Sequence, residues 1–321
     1  MGGPAGTARV EWQHSDAYQR VCMNRVSSTL YPRFRASLAI LVLGSVALAA
    51  NAAERLLLEQ RSDYNTIFVS ETDDGLRVLR FERDGSRQTV VKLGDPDHLE
   101  LPYARLMPIA LALVTQPKRA LVIGLGGGTL PTFLRRHVPQ LQIDAVELDP
   151  GVVAIARSHF GFRDDAMLQV HVADGRRFIE TTTNRYDIIM LDAFGADEAP
   201  YPLTTIEFHE AVRRALTPGG VVLSNMWSLA SNRLYDSMVK THESAYHSTA
   251  VLNVAGSGNR ILIAAGSRPL PPKAEIVAEA AALTQRLRLR TDLARVVQLD
   301  LRPTVTDSAT GRVLRDADQP R

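Results

Sequence analysis

Three carboxylates and one glycine-rich run occupy regular places in the middle of the chain, each directly after a short apolar segment. The glycine-rich run follows residues 120–123 and contains Gly124, Gly126, Gly127 and Gly128. Glycines at such a turn let the backbone approach a ligand closely and leave the first amides of the next helix free to bind polar groups. Taken alone, the run is equally compatible with a plain tight turn.

Glu147 ends the next apolar segment, about twenty residues beyond the glycine run. An acidic side chain at that place can accept hydrogen bonds from both ribose hydroxyls of a nucleoside. The alternative is a solvated carboxylate at a strand end, and the glycine run that precedes Glu147 favours the ribose. Asp149 is predicted instead to cap the helix that begins at Pro150.

Two further carboxylates close the next two apolar segments. Asp174, with Gly175 beside it, can accept from the exocyclic amine of a base, or it can serve only as a helix cap. Asp192 leaves an apolar strand where a reaction base would lie, although a carboxylate there can also bind loop amides. Asp197, on the loop that follows, either adds negative potential suited to a cationic amine or is an ordinary solvated charge.

Only a sheet can bring these residues together. Between residues 119 and 266, continuous apolar runs alternate with helical patterns, which predicts a parallel sheet covered on both faces. The segments 249–254 and 260–265 are joined too briefly for parallel neighbours and predict an antiparallel hairpin. The expected fold class is α/β: a methyltransferase-like, Rossmann-type, mostly parallel seven-stranded sheet with a small N-terminal antiparallel β domain.

Four regions follow from these patterns. Residues 1–52 form an N-terminal extension, 53–98 a small β-hairpin domain, 99–302 the nucleoside-binding domain and 303–321 a flexible tail. The apolar run 38–50 is shorter than the roughly 20 residues that a spanning helix needs and is typical of a signal peptide. We therefore expect export to the periplasm or N-terminal membrane attachment, with a cytoplasmic protein as the alternative. A start at Met23 would give a more usual signal length.

Composition excludes several classes of partner. The net charge of +2 provides no field that favours nucleic acid. The single cysteine, Cys22, permits no intramolecular disulfide and no thiolate metal site. The histidines show no spacing typical of metal ligands, so no metal is expected. The sequence favours a small organic ligand.

With these residues laid out, residues 55–266 resemble the spermidine synthases, or polyamine aminopropyltransferases. The motifs are VIG at 122–124, VELDP at 146–150, ADG at 173–175 and YDII at 186–189. The resemblance implies transfer of an aminopropyl group from decarboxylated S-adenosylmethionine to a polyamine such as putrescine, by direct displacement without a metal. It also implies a homodimer.

The resemblance carries roles for individual residues. It implies that Glu147 holds the ribose, that Asp174 holds the adenine, and that Asp192 takes up or orients the proton of the attacking amine. Tyr103 and Asp197 are the candidate residues for binding the substrate amine.

Three positions depart from the family pattern. Gly127 stands where the family has an acid that pairs with the amine of the donor, and Tyr103-Ala104-Arg105 stands where the family has Tyr-His-Glu. The family has a second acid on the loop after Asp192, which falls at Gly195 in this sequence, so Asp197 is its candidate substitute. These departures leave two alternatives open: a methyltransferase that uses intact S-adenosylmethionine, and a non-catalytic exported protein that binds a nucleoside or polyamine.

Overall fold

The computed structural model describes residues 54–193, 199–228, 230–304 and 311–319. The predicted signal-like extension and Asp197 lie outside these residues. Within the described part of the chain, no helix is long and apolar enough to cross a membrane.

Twelve strands and eight α-helices make up the described residues. The N-terminal strands are β1 (Glu54–Arg61), β2 (Thr66–Thr72), β3 (Leu76–Arg80) and β4 (Thr89–Lys92). The other strands are β5 (Arg119–Ile123), β6 (Gln142–Glu147), β7 (Leu168–Val172), β8 (Tyr186–Leu191), β9 (Leu216–Trp227), β10 (Ser248–Asn253), β11 (Asn259–Ala265) and β12 (Leu301–Pro303). The helices are α1 (Ala110–Leu113), α2 (Thr129–His137), α3 (Pro150–His159), α4 (Gly175–Thr181), α5 (Ile206–Ala215), α6 (Tyr235–Ala245), α7 (Lys273–Leu287) and α8 (Leu293–Asp300).

The larger sheet confirms the predicted fold class. Its order is β12-β10-β11-β9-β8-β5-β6-β7, in which β5 to β9 run parallel and β11 returns antiparallel beside β9. The predicted count of seven strands is wrong by one, because β12 pairs with β10 and places Leu301 opposite Leu252. A three-residue strand is too short to give a periodic signal in the sequence.

Strand β5 shows why the central strands are continuously apolar. Ala120 and Val122 face a core shared with α2 and α7, whereas Leu121 and Ile123 face a second core shared with α4 and α5. Successive side chains of a strand point to opposite faces. A strand with a helix layer on each face therefore needs apolar residues at every position.

The antiparallel N-terminal sheet packs against α3. Ile67, Val69 and Leu79 form a buried cluster with Val152 and Ile155 of that helix. This contact fixes the sheet beside the turn that follows β5, so both parts of the chain can contribute to one site.

The C-terminal segment corrects the prediction of a flexible tail. Leu314 is fully buried, its carbonyl accepts from the Ile206 amide at 2.8 Å, and its own amide donates to the Thr241 hydroxyl at 2.9 Å. Asp316 also forms a two-pronged ion pair with Arg176. Residues 311–319 are thus packed. The sequence did not reveal this, because the two large apolar residues of the segment, Val313 and Leu314, are adjacent and give no periodic pattern.

Candidate active site

The carboxyl ends of β5, β6, β7 and β8 open onto one cavity of about 330 Å³, a size typical of small-molecule sites. Most of the predicted site residues lie on its wall, namely Tyr103, Gly124, Gly126, Glu147, Asp174, Gly175 and Asp192. Gly127 and Gly128 do not. The cavity lies where an open α/β sheet is expected to bind its ligand.

The glycine turn is closely surrounded by other parts of the protein. Gly124 has φ +98°, and a Cβ there would lie 2.3 Å from the carbonyl oxygen of Asp192. The Gly127 amide donates to the Thr89 hydroxyl at 2.9 Å. A Cβ on Gly128 would lie 2.2 Å from the Phe162 ring. The structure thus places Gly127 and Gly128 behind the turn, in contact with protein.

Glu147 is held in place by the turn. Its Oε2 accepts from the Leu125 amide at 2.9 Å and its Oε1 from the Asp149 amide at 3.1 Å. Desolvation by burial raises the pKa of the Glu147 carboxyl, and these amides act in the opposite direction. A carboxylate oxygen has more than one acceptor position, so both oxygens can still receive ribose hydroxyls.

Asp174 and Asp149 both cap helices. Asp174 accepts from the Arg177 amide at 2.7 Å and also lines the cavity, so its two interpretations are compatible. The cap predicted for Asp149 is confirmed by a 2.8 Å hydrogen bond from the Gly151 amide. Asp149 also accepts from the Ser62 hydroxyl at 2.5 Å, which ties the β1–β2 turn to the site.

Asp192 has a hydrogen-bond donor on each carboxylate oxygen. The Tyr103 hydroxyl donates to Oδ2 at 3.1 Å and the Asn225 amide donates to Oδ1 at 2.9 Å. Desolvation raises the pKa of Asp192 to about 7, and the two donors oppose that rise. Burial, together with the charge of Asp192, raises the pKa of Tyr103 well above its usual value, so the tyrosine remains a donor.

Asn225 was missed in the sequence because it belongs to the apolar run of β9. The register of β8 and β9 pairs Leu191 with Ser224, so the next residues, Asp192 and Asn225, become neighbours. The one available signal for Asn225 in the sequence was a polar residue within an otherwise apolar strand. Thr89 was also missed, since it lies in the separate N-terminal sheet.

Arg105 does not oppose a cationic ligand. Its guanidinium donates to the carbonyl oxygens of Leu99 and Glu100 at 2.6 Å and 2.7 Å and contributes nothing to the cavity wall. The departure at Arg105 from the family pattern therefore places no positive charge on the cavity wall.

The charged residues on the wall of the cavity are all acidic. Among the described residues, its charged members are Glu147, Asp149, Asp174 and Asp192, with no lysine, arginine or histidine. No group of three or more His, Cys, Asp or Glu residues in the described part of the chain is arranged to hold a metal ion. Such a wall attracts an organic cation and repels an anion.

Known proteins share this arrangement of strands. A family model described as spermine/spermidine synthase domain matches residues 102–252. The polyamine aminopropyltransferase of Vibrio vulnificus is 32% identical over 240 residues, covering 73% of this chain and 79% of that protein. The chain belongs to the spermine/spermidine synthase family.

Solved structures place this family member among both synthases and methyltransferases. A probable spermidine synthase from Corynebacterium glutamicum superposes with a TM-score of 0.66 at 22% identity, covering 83% of this chain and 99% of that one. Human methyltransferase-like protein 13, solved in complex with SAH, has a TM-score of 0.51 at 28% identity, covering 65% of this chain and 96% of that one. The fold is thus common to both classes of transferase.

Proposed function

We propose that this protein is an aminopropyltransferase that moves an aminopropyl group from decarboxylated S-adenosylmethionine to a polyamine such as putrescine. The observation that carries the proposal is that the charged residues on the wall of the cavity are all acidic and include Asp192. The donor is a sulfonium with a free amine and the acceptor is a diamine, so every charge on the two substrates is positive. Family membership supports the same reaction.

The donor is proposed to bind along the strand ends. Gly124 and Gly126 allow the adenosyl group to approach the backbone, Glu147 accepts the ribose hydroxyls and Asp174 accepts from the adenine amine. Thr129 adds a buried hydroxyl on the cavity wall that has no hydrogen-bond partner among the described residues. Such a buried hydroxyl favours a polar ligand that satisfies it.

The reaction needs a free amine and a good alignment. The amine nitrogen of the acceptor attacks the carbon next to the sulfonium, the carbon–sulfur bond breaks, and the thioether leaves with both electrons of that bond. The proton released from the nitrogen goes to Asp192. Tyr103 and Asn225 hold that carboxylate in one orientation, which supplies the alignment that displacement requires.

The decarboxylated donor suits the cavity better than the intact one. The place where the family has an acid is filled, because a Cβ on Gly127 would lie 2.6 Å from the Thr89 methyl and 2.8 Å from the Phe160 ring. That acid is missing, yet the remaining carboxylates would still repel the carboxylate of intact S-adenosylmethionine. The structure therefore gives less support to the methyltransferase than the sequence alone did.

Binding and product analysis together test the proposal. The purified protein should bind decarboxylated S-adenosylmethionine at least about tenfold more tightly than the intact form, a difference of about 1.4 kcal/mol. With putrescine it should release a triamine product. Tighter binding of the intact donor with a methylated product would establish the methyltransferase instead, and binding of either donor without any product would leave a non-catalytic protein.

Activity should depend on the ionisation of Asp192. Below its pKa of about 7 the carboxyl carries a proton and cannot accept one, so kcat/KM should rise with pH and level off above that value. The pH profile of kcat/KM should be measured with two acceptors whose amine pKa values differ. If the acid limb of the profile reports Asp192, its midpoint is the same with both acceptors. A midpoint near 4, or one that follows the acceptor, would contradict this assignment.

Two further properties are proposed from the sequence alone. The family resemblance favours a homodimer, which light scattering of the purified protein tests. The signal-like run 38–50 favours export or membrane attachment, which fractionation and N-terminal sequencing of the mature chain test.

A further inference from the structure

A chain of hydrogen bonds runs from the β10–β11 connection to Asp192. The Ser257 hydroxyl donates to Asn259 Oδ1 at 2.8 Å, Asn259 Nδ2 donates to Asn225 Oδ1 at 3.0 Å, and Asn225 Nδ2 donates to Asp192 Oδ1 at 2.9 Å. Asn225 is 5% exposed and Asn259 is 9% exposed. Water therefore has little access to the two amides, and their orientations depend on each other.

The Asp192 carboxylate determines the donor and acceptor order in this chain of hydrogen bonds. An ionised carboxylate can only accept hydrogen bonds, so Asn225 must turn its amino group toward Asp192 and its carbonyl toward Asn259. Asn259 must then turn its amino group toward Asn225. Its carbonyl accepts from Ser257, whose oxygen in turn accepts from the Asn259 backbone amide at 2.9 Å. Every member has one orientation that satisfies its neighbours.

The antiparallel hairpin makes this contact possible. In the β9–β11 register Asn225 lies opposite Ile261, and Asn259 precedes Ile261 by two residues on the same face of the sheet. Asn259 is thus the diagonal neighbour of Asn225, within reach of a long polar side chain.

We infer that Asn259 is a positioning residue for the transfer reaction, which acts through Asn225 to keep the Asp192 carboxylate ionised and correctly oriented. The inference rests on the proposed function. Without Asn259, the Asn225 amide can rotate by half a turn and present its oxygen to Asp192. An oxygen there destabilises the ionised carboxylate, so the Asp192 proton is held more tightly.

Asp192 also has other titratable groups around it. Tyr103 contacts the opposite carboxylate oxygen, and Glu147, Asp149 and Asp174 line the same cavity. His209 and His242 line a small cavity with Asn225, and burial lowers the pKa of both imidazoles, to about 4 for His242. Both histidines are therefore neutral near pH 7, and a shift in the Asp192 pKa can be assigned to the amides.

Asn259→Leu is the decisive variant, because it keeps the number and branching of the side-chain heavy atoms and removes both polar groups. The Asp192 pKa should rise by about one unit, measured by carbon NMR of labelled aspartate carboxyls with Asp192→Asn for assignment. The acid limb of kcat/KM should move by the same amount. Activity at pH 7 should then fall about fivefold and recover near pH 9. Ser257→Ala removes the hydroxyl at the other end of this chain of hydrogen bonds and should shift the Asp192 pKa by less, in the same direction.

Asn253→Leu is the matched control, since Asn253 lies on β10 of the same hairpin and takes no part in the chain of hydrogen bonds. The pKa of Asp192 should be unchanged in this variant. An unaltered Asp192 pKa in folded Asn259→Leu would overturn the inference, as would a loss of activity that is equal at all pH values. Should that variant not fold, an unshifted pKa in Ser257→Ala would overturn it. If the wild-type protein shows no transfer, the proposed function fails, and the NMR titration still decides the role of Asn259.

Discussion

Asp192→Asn should lower kcat for aminopropyl transfer by about a hundred- to ten-thousandfold, the range typical for loss of a general base. The affinity for the donor should change little, because the asparagine has nearly the same shape. Its oxygen can still accept from Asn225 and its amino group can donate to the Tyr103 oxygen. Steady-state kinetics and calorimetry of donor binding separate the two effects. Because an amide does not titrate in this range, raising the pH should not restore activity.

Asp187→Asn is the matched control for this prediction. Asp187 lies near the other end of β8, where its carboxylate accepts from the amides of Lys118 and Arg119 at 2.7 Å and 3.0 Å. It should retain turnover even if stability falls. A turnover number for Asp192→Asn close to that of the wild type would remove Asp192 from the assigned role.

Gly124→Ala should cost about 2 kcal/mol or more in free energy of unfolding and abolish donor binding. The added methyl group would meet the Asp192 carbonyl at 2.3 Å, and backbone at such a contact cannot move aside as a flexible side chain can. Relief of the clash must push the end of β8 away from β5. That displacement breaks the 2.8 Å hydrogen bond from the Asp192 amide to the Ile123 carbonyl, so Asp192 leaves its position as well.

Gly94→Ala isolates the clash from the backbone strain. Gly94 has φ +82°, similar to Gly124, but a Cβ there would meet nothing within 4 Å. Its cost should be limited to the roughly 1–2 kcal/mol for a left-handed residue, with full donor binding. Urea unfolding of both variants measures the difference. Equal costs for the two substitutions would show that the approach of β8 to the turn is not what requires glycine at position 124.

The surroundings of Gly127 and Arg105 explain why the departures from the family pattern affect the site less than the sequence suggested. Thr89 and Phe160 fill the space beside Gly127, and Arg105 is bonded to backbone carbonyls away from the cavity. The acidic character of the site therefore comes from the strand ends rather than from the glycine turn. Asp197, the candidate substitute for the second acid of the family, lies outside the described part of the chain.

The sequence by itself determined the features that depend on local pattern. Continuous apolar runs specified the parallel strands, the short connection after Val254 specified the antiparallel hairpin, and the strand ends specified Glu147, Asp174 and Asp192 as neighbours. These predictions succeeded because parallel strands bring their carboxyl ends to one edge of a sheet, whatever the details of packing.

Only the tertiary structure decided the contacts that join distant segments. The registers of β8, β9 and β11 bring Asn225 and Asn259 to Asp192, and the packing of the N-terminal sheet brings Thr89 to Gly127. Residues 311–319 are held by the buried Leu314 side chain and by single backbone and charge contacts, none of which gives a periodic pattern. Register and packing between segments far apart in the chain leave no periodic trace in the sequence, since each depends on the partner surface as much as on the segment itself.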